Sequence, residues 1–557
     1  VTPKYAVRLS GYGNRKVESE GVAQPLWVKA LAIGGDDGDG PALLLTLENC
    51  GLTPAMRTAV ATALAEKAKV RNERIVIAAS HSHTAPALRG WAPFLFGEDI
   101  PAEHQQHIDQ YTDEVVQSLV QVSIDALAAR RPGRLAWGQG RVGFAANRRV
   151  LKDGQWVRFG VQADGPVDHS LPVLAARDEQ GKLIAVVANY ACHCTTLGGD
   201  FNKIAGDWAG FAQEMIEADH PGSVALITIG CGADANPEPR RSDLELCKQH
   251  GRALADEVKR LLAGQLEPLD PHLTCRLRHV DLPFDTLPTR EQWQERTKQS
   301  GAPGYHAKQF LAKLDRGEEI PTKLSYPIAV WTFGEPRGGG ANVGGAAQAS
   351  GAGHSTGAAQ SSGAAQSTAK RGDLAMVFLG GEVVVDYVIR LKSELDPSRL
   401  WVTAYANDVC CYIASKRILR EGGYEADFSM YFYARPTRWA GEVEDLISDT
   451  IQKLVPRWFY PAVKQADLPP PKSPDEALAS IKVKPGFKVE LVAAEPLVED
   501  PVAFDWGPDG RLWVVEMRDY PNGLTWNGPG DPKNVPGGRV KVLRDTDGDG
   551  RYDKATV

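Results

Sequence analysis

The sequence predicts an α/β catalytic domain, a mixed sheet flanked by helices, followed by a short, partial all-β module. Three observations carry this. Aliphatic runs alternate with amphipathic segments through the first half of the chain, as in sheets covered on both faces. Polar, chemistry-bearing residues stand directly after several of those runs. Beyond a proline-rich stretch, the remaining residues break into short runs punctuated by Gly, Pro, Asn and Asp, in the manner of strands and turns.

The elements follow in order. Leu43 to Leu47 is an aliphatic strand, and Thr53-Pro54 supplies the N-cap and first-turn proline of a helix reaching about Val70. Arg74 to Ala79 is the next strand, and strand, helix, strand with runs this apolar suggests a parallel sheet covered on both faces. Tyr111 to Ala129 reads as an amphipathic helix, Leu183 to Tyr190 and Val224 to Ile229 as strands, and Phe211 to Ala218 as part of the helix between them. Ser325 to Phe333 and Leu374 to Leu379 are strand-like and flank residues 338–369. That stretch lacks Asp, Glu, Lys and Arg and repeats Gly-Ala-Ala-Gln from positions 345, 357 and 363, so it is expected to be a flexible insertion. Within it, Gly353-His354-Ser355-Thr356-Gly357 matches the Gly-x-Ser-x-Gly elbow. Neither the strand before it nor the helix after it that a nucleophile requires is present, so composition explains the match.

A helical stretch from Glu442 to Leu454 precedes the proline-rich Leu468 to Pro474. The expected layout is a hydrolase domain over residues 1–465, a linker over 466–475 and a β segment over 476–557. In that segment Phe487 to Ala493, Val502 to Trp506, Leu512 to Met517 and Val540 to Leu543 read as strands. Asp545-Thr546-Asp547-Gly548-Asp549-Gly550 has the spacing of a calcium loop. Its twelfth position is Thr556 in place of a bidentate Glu, so a plain turn is expected.

Composition sets the bounds. At about 150 residues per domain, 557 residues would allow roughly three or four domains, more than this layout uses. Hydrophobic residues at 43% and charged residues at 24% are those of an ordinary globular chain. Lys plus Arg at 63 against Asp plus Glu at 70 gives a net charge of −7, without the basic excess of a nucleic-acid binder. No apolar run approaches the 18 or so residues of a spanning helix, so a soluble chain is expected. Eight cysteines are too few for a disulfide framework; Cys192 with Cys194, and Cys410 with Cys411, read as buried thiols or redox pairs, while Cys231 stands alone after its strand.

The chemistry sits at the ends of the apolar runs. Arg74 to Ala79 ends in Ser80-His81-Ser82-His83, Leu183 to Tyr190 in Cys192-His193-Cys194, Val224 to Ile229 in Cys231-Gly232-Ala233-Asp234, and Leu374 to Leu379 in Gly380-Gly381-Glu382. Ligands of open α/β sheets bind outside the carboxyl ends of strands, which makes these residues candidates for one site. In an extended segment His81 and His83 point to one side, so one ring can bind a metal while the other does acid–base work. Glu382 falls at a strand-to-helix turn, where helix-terminal amides favour a carboxylate. Two imidazoles and a carboxylate form the ligand set of many catalytic zinc sites, where bound water ionises near a pKa of about 7.

These blocks resemble the neutral, non-lysosomal ceramidase family over roughly residues 1–465. The likeness rests on Gly11-Tyr12-Gly13, Ser80-His81-Ser82-His83-Thr84-Ala85-Pro86, Asn147-Arg148, Asn189-Tyr190-Ala191-Cys192-His193, Gly206-Asp207, Gly381-Glu382, Ala406-Asn407-Asp408 running to Tyr412, and Tyr424-Glu425. It implies a zinc amidase that splits the N-acyl bond of a ceramide-like lipid with a metal-activated water. Carried over by position, it makes His81, His193, Glu382 and Tyr412 the Zn²⁺ ligands, His83 the acid–base group, and Arg148 and Tyr424 the holders of the oxyanion. Asn236 and Asp207 become substrate-binding residues. The resemblance further implies a secreted or periplasmic protein that meets membranes peripherally, with an N-acylated lipid or other amide as partner.

The chain departs from the family at two places. Cys231-Gly232-Ala233-Asp234-Ala235-Asn236-Pro237 puts Asn236 where the family has a serine, which leaves a metal–water mechanism as the expectation. His193-Cys194-Thr195 replaces His-Gly-Thr. From a different class, a non-catalytic ligand-binding protein on a hydrolase scaffold fits the same residues. The last segment resembles the opening of the β-propeller of membrane-bound or sugar-dehydrogenase-like bacterial proteins, through Pro501 to Asp505, Gly507 to Gly510, Leu512 to Val514 and Asp545 to Asp553. One or two blades fall short of the roughly four that close a propeller, so no dehydrogenase activity is expected and Val557 reads as a truncation.

Overall fold

The aliphatic run at Ala42–Leu47 is the middle strand of a three-stranded sheet, antiparallel to Val28–Ile33 and parallel to Ile75–Ala79. Every residue of Ala42–Leu47 and Ile75–Ala79 is buried, as both-face coverage demands. The crossover between them is the helix Pro54–Ala68, opened by Thr53, whose Oγ1 accepts from the Met56 amide at 3.3 Å. A second helix, Ala102–Ala128, begins nine residues before the expected Tyr111, because its first two turns are mostly polar and only partly buried. This is a computed structural model, describing residues 1–334, 372–461, 472–517 and 538–557.

The second sheet has five strands in the order Val224–Ile229, Leu183–Tyr190, Ser170–Asp178, Gly133–Arg141 and Glu267–Pro268. Its first pair is parallel and the others antiparallel, so the sheet is mixed, as the sequence predicts, while the strand, helix, strand unit of the first sheet is a parallel pair. The reason is connection length. Ser170–Asp178 and Leu183–Tyr190 are joined by a tight turn through Gly181, and a turn that short can only reverse the chain.

The third sheet orders Leu273–Pro283, Lys323–Phe333, Leu374–Leu379 and Leu400–Thr403, with only the last pair parallel. Phe333 pairs with Leu374, so the two strands flanking the low-complexity stretch are antiparallel neighbours. The insertion itself, including Ser355, lies outside the described residues. Hydrogen bonds tie the second and third sheets together. Asn189 Nδ2 donates to the Val402 carbonyl at 3.0 Å, and the Ala404 amide to the Ile229 carbonyl at 2.8 Å. The Ala79 amide donates to the Tyr405 carbonyl at 3.0 Å, which draws the first sheet to the same point. Carboxyl ends from three sheets therefore meet above a continuous core built on Leu45, Ile77, Val186, Ile227, Val377 and Val402.

The described residues form two compact units, one over 1–334 and 372–461, the other over 472–517 and 538–557. In the second, Pro501–Trp506, Leu512–Met517, Gly538–Arg544 and Lys554–Thr556 form an antiparallel four-stranded sheet over a small core of Val498, Leu512, Val514 and Leu543. The strand expected at Phe487 to Ala493 does not form; its residues pair with no strand, and Phe487 is 73% exposed. Part of the expected linker lies outside the described residues, while Pro474 opens the short helix Pro474–Ser480, capped by Ser473. Asp545 accepts the Gly548 and Gly550 amides at 2.7 and 2.9 Å, which makes the acidic run a turn. Among the described residues no helix is long and apolar enough to cross a membrane.

Candidate metal centre

The loop after Ile75–Ala79 does not stay extended. His81 has φ of 57°, so its side chain is aimed by a left-handed kink and not by strand alternation. The kink is held from three sides: Ser80 donates to Leu47, Ser82 to Asn49 and His83 to Cys194, all between backbone groups. His81 Nδ1 sits 2.7 Å from the Cys50 carbonyl, and His193 Nδ1 3.1 Å from that of Gly232. A carbonyl can only accept, so both rings carry a proton on Nδ1 and turn their Nε2 atoms inward.

Those two Nε2 atoms converge on one oxygen. His81 Nε2 lies 3.0 Å and His193 Nε2 3.2 Å from Glu382 Oε2. That oxygen is buried, yet among the described residues no donor is aligned to hydrogen-bond to it. The other oxygen, Oε1, accepts from the Tyr433 hydroxyl. Tyr412 OH completes the group, 3.1 Å from His193 Nε2 and accepting from Arg148 Nη2 at 3.0 Å. His81, His193, Glu382 and Tyr412 are each no more than 3% exposed. The ligand atoms of His81, His193 and Glu382 all fall within 4.8 Å of one another, the spacing of a shared cation.

Glu382 reaches this point by a route other than the one its sequence position suggested. Its neighbours are two imidazoles and a phenol, whereas the amide of Val385, opening the helix Val385–Glu394, is taken by Asp234 Oδ1 at 2.9 Å. Gly381 has φ of 73°, and a Cβ there would lie 2.6 Å from the Cys411 carbonyl oxygen, so the turn into Glu382 requires glycine.

His83 stands beside the group, with Nε2 3.0 Å from His81 Nε2 and Nδ1 buried without a partner among the described residues. Gly11 packs against it so closely that a Cβ would sit 2.6 Å from the His83 ring, which gives the Gly11-Tyr12-Gly13 block its physical meaning. Arg148 donates from Nε to Glu425 Oε1 at 2.9 Å and from Nη1 to Asn236 Oδ1 at 3.4 Å. The Tyr424 ring lies 5.4 Å from that of Tyr412, beside the Arg148 guanidinium. Asn236 is thus part of the constellation. Asp207, fully buried, accepts the Leu197 and Trp208 amides at 3.0 and 2.6 Å and shapes the loop after His193.

The electrostatics follow from burial and proximity. Burial pushes the His81 imidazole down, but the Glu382 carboxylate and Cys50 bring it up to about 10. Burial raises Glu382, and His81 with His193 outweighs it, holding the carboxyl well below its usual range. His193 is held down to about 3 by burial and then by the Arg148 cation. Burial followed by the two neighbouring imidazoles keeps His83 well below an ordinary histidine. Burial pushes the phenols of Tyr412 and Tyr424 up.

Several participants had no advance signal. Tyr433, on Glu382, follows no spacing rule. Tyr405, whose ring lies 4.5 Å from that of His81, closes the run Leu400–Thr403 and could have been found by the same strand-end rule. Arg149 and Glu425 form a buried ion pair behind Arg148. All eight cysteines are buried free thiols in this structure.

Comparison with known proteins gives the context. Residues 2–228 match the family described as neutral/alkaline non-lysosomal ceramidase, N-terminal, and residues 473–557 match one described as Domain of unknown function (DUF7133). The chain is 23% identical over 306 residues to a neutral ceramidase of Pseudomonas aeruginosa, covering 52% of this chain and 44% of that protein. It therefore spans less than half the length of this curated relative. The solved neutral ceramidase of Pseudomonas aeruginosa superposes with a TM-score of 0.53 at 15% identity, over 91% of this chain and 81% of that one. A solved ceramidase complexed with C2 gives 0.55 at 14% identity, over 92% and 82%. The amino-terminal region, residues 2–228, is thus similar to that of the neutral/alkaline non-lysosomal ceramidases, and the chain shares the fold of the solved enzymes.

Proposed function

We propose that the chain is a zinc-dependent amidohydrolase acting on an N-acylated, ceramide-like lipid. One observation carries the reading: the inward Nε2 atoms of His81 and His193 converge on a buried Glu382 oxygen that no hydrogen-bond donor among the described residues satisfies. Two neutral imidazoles with Nδ1 engaged, a carboxylate and a phenol are a donor set that zinc accepts. His81, His193, Glu382 and Tyr412 would hold the ion. When bound, zinc supplies Lewis acidity that activates water and polarises a carbonyl at neutral pH.

The chain's own groups supply the rest. His83, kept neutral, accepts a proton from the attacking water and returns it to the departing amine nitrogen. Arg148, a fixed cation next to Tyr412, steadies the amide oxygen as negative charge develops. Tyr424 retains its proton and offers a second donor to that oxygen. Asn236, where the family has serine, cannot act as a nucleophile, so attack falls to water; its Oδ1 instead helps to orient Arg148. Asp207 acts by fixing the loop that carries His193 and Thr195.

The lipid assignment draws on the surroundings as well as on the named relatives. Phe159, whose ring lies 4.9 Å from that of Tyr424 and 5.0 Å from the Arg148 guanidinium, is 43% exposed, and nearby Phe428 is 45% exposed. These apolar groups suit an acyl chain and peripheral membrane contact, in a secreted or periplasmic setting. We take residues 1–465 as the hydrolase domain and 476–557 as a separate β module.

The test is hydrolysis of a panel of N-acyl lipids by the metal-loaded full chain. Fatty acid release that disappears in Glu382→Ala and falls at least tenfold in Tyr424→Phe is expected. Ligand binding without turnover in the wild type would overturn the reading in favour of a non-catalytic scaffold.

A further inference from the structure

The two flanks of the candidate centre differ in chemistry. Beside Tyr424 and Arg148 stands the apolar ring of Phe159, whereas beside His83 the wall is polar and cationic. The Tyr12 ring lies 5.0 Å from that of His83, and its hydroxyl accepts from Arg240 Nη2 at 2.7 Å. Arg240 Nε donates to the carbonyl of Thr195, two residues past His193, at 2.5 Å. The Thr195 hydroxyl in turn donates to Asn236 Oδ1 at 3.2 Å, the oxygen that also receives Arg148. These bonds fix an exposed guanidinium to the rim of the site, and it forms no ion pair with any described residue. Asp200 bonds to the Ser242 hydroxyl and does not pair with Arg240. Arg15, its guanidinium 4.8 Å from the Tyr12 ring, donates to the carbonyls of Ser10, Gly198 and Phe201, so a second cation stands here without a paired carboxylate among the described residues. Nε and one Nη2 hydrogen of Arg240 are spent. Nη1 and the other Nη2 hydrogen form an open fork, the geometry that takes a carboxylate through two parallel bonds.

We infer that the amine half of the substrate carries an anionic group, a carboxylate or sulfonate, which Arg240 receives, so the preferred substrate is an N-acylated amino acid or its sulfonate counterpart. The inference rests on the hydrolase reading, in which His83 serves the departing nitrogen; that role seats the amine half on the Tyr12 side and the acyl half against Phe159. A fixed guanidinium discriminates strongly between an anion and a hydroxyl, because hydrogen bonds between charged partners are about twice as strong as neutral ones. The charge reaches the reacting centre: burial and the two neighbouring imidazoles lower His83, and Arg240 adds to them.

Hydrolysis of N-lauroylglycine, N-lauroyltaurine and N-lauroylethanolamine by the metal-loaded full chain tests this, since the three share an acyl chain and only the last lacks an anion. At least a tenfold higher kcat/KM is expected for the two anionic lipids, narrowing as NaCl is raised from about 0.05 to about 0.5 M. Arg240→Met should bring the ratio close to one, and Arg240→Lys, which keeps the charge without the fork, should leave it in between. Equal turnover of all three lipids by the wild type, or a preference that survives Arg240→Met, overturns the proposal. Calorimetric titration of N-lauroylglycine and N-lauroylethanolamine into Glu382→Ala reads the same preference without turnover. A wild-type chain that hydrolyses none of the lipids while this variant binds the carboxylate at least tenfold tighter overturns the hydrolase reading and keeps the anion site; equal binding there overturns the site.

Discussion

Glu382 and Tyr412 are register partners in a two-residue parallel ladder, so a carboxylate and a phenol thirty residues apart leave the backbone side by side. The pairing makes half of the candidate ligand set a property of one short hydrogen-bonded unit. Zinc content measured by elemental mass spectrometry after dialysis should fall from near one per chain to near zero in His81→Ala and Glu382→Ala. Tyr412→Phe, which keeps three ligands, should lower affinity without abolishing binding. Unchanged metal in both alanine variants would remove the zinc assignment.

Tyr433 donates to the Glu382 oxygen facing away from the histidines. Partners of this outer kind fix ligand orientation, and their loss typically costs about 10–100-fold in metal affinity or activity. Tyr433→Phe is expected to fall in that range with its thermal midpoint little changed; competition with a chromogenic chelator gives the affinity directly.

Glu425 receives both Arg148 and Arg149, and its side chain is fully buried. Removing one partner of such a group leaves uncompensated charge in the interior, at a cost of about 3–5 kcal/mol. Glu425→Gln should therefore unfold at clearly lower urea and lose activity through a displaced Arg148. A stability within 1 kcal/mol or so of wild type would contradict the network's role.

Gly11 combines φ of 83° with contact against the His83 ring. Gly11→Ala should strain the turn and push the imidazole aside, lowering kcat more than tenfold while metal content stays intact. Equal kcat would mean that His83 does not act from this position.

Glu48 is fully buried, and burial pushes its carboxyl from 4.5 up to about 7. Between those values the folded chain binds more protons than the unfolded one, so stability is highest below about 4.5 and falls as pH rises through 7. The full shift corresponds to about 3 kcal/mol, an upper figure. Urea midpoints at pH 5 and pH 8 should converge in Glu48→Gln relative to wild type; an unaltered difference between the two pH values would exclude Glu48 as the source.

Much of this was legible in one dimension because it depends on local rules. The Thr53-Pro54 start, the buried runs at Leu183–Tyr190 and Leu374–Leu379, and the polar residues after them all follow from capping, burial and strand-end placement. That the sheet is mixed was legible too; which strands pair antiparallel was not, since pairing direction depends on connection length and not on apolar content. Phe487 to Ala493 has the composition of a strand, but no neighbouring strand pairs with it.

The sequence by itself determined the inventory: which strands are buried, which residue types end them, and that two histidines and a glutamate are available for a metal. Tertiary structure alone decided how they are aimed. His81 is turned by a left-handed kink and not by strand alternation, and its Nε2 faces inward because the Cys50 carbonyl engages Nδ1. Tyr433 and Glu425 enter only through contacts across more than fifty and two hundred residues, which no local periodicity encodes. Side-chain direction, protonation and buried charge compensation depend on groups brought together by packing, and those distances exist only once the three sheets have closed on one another.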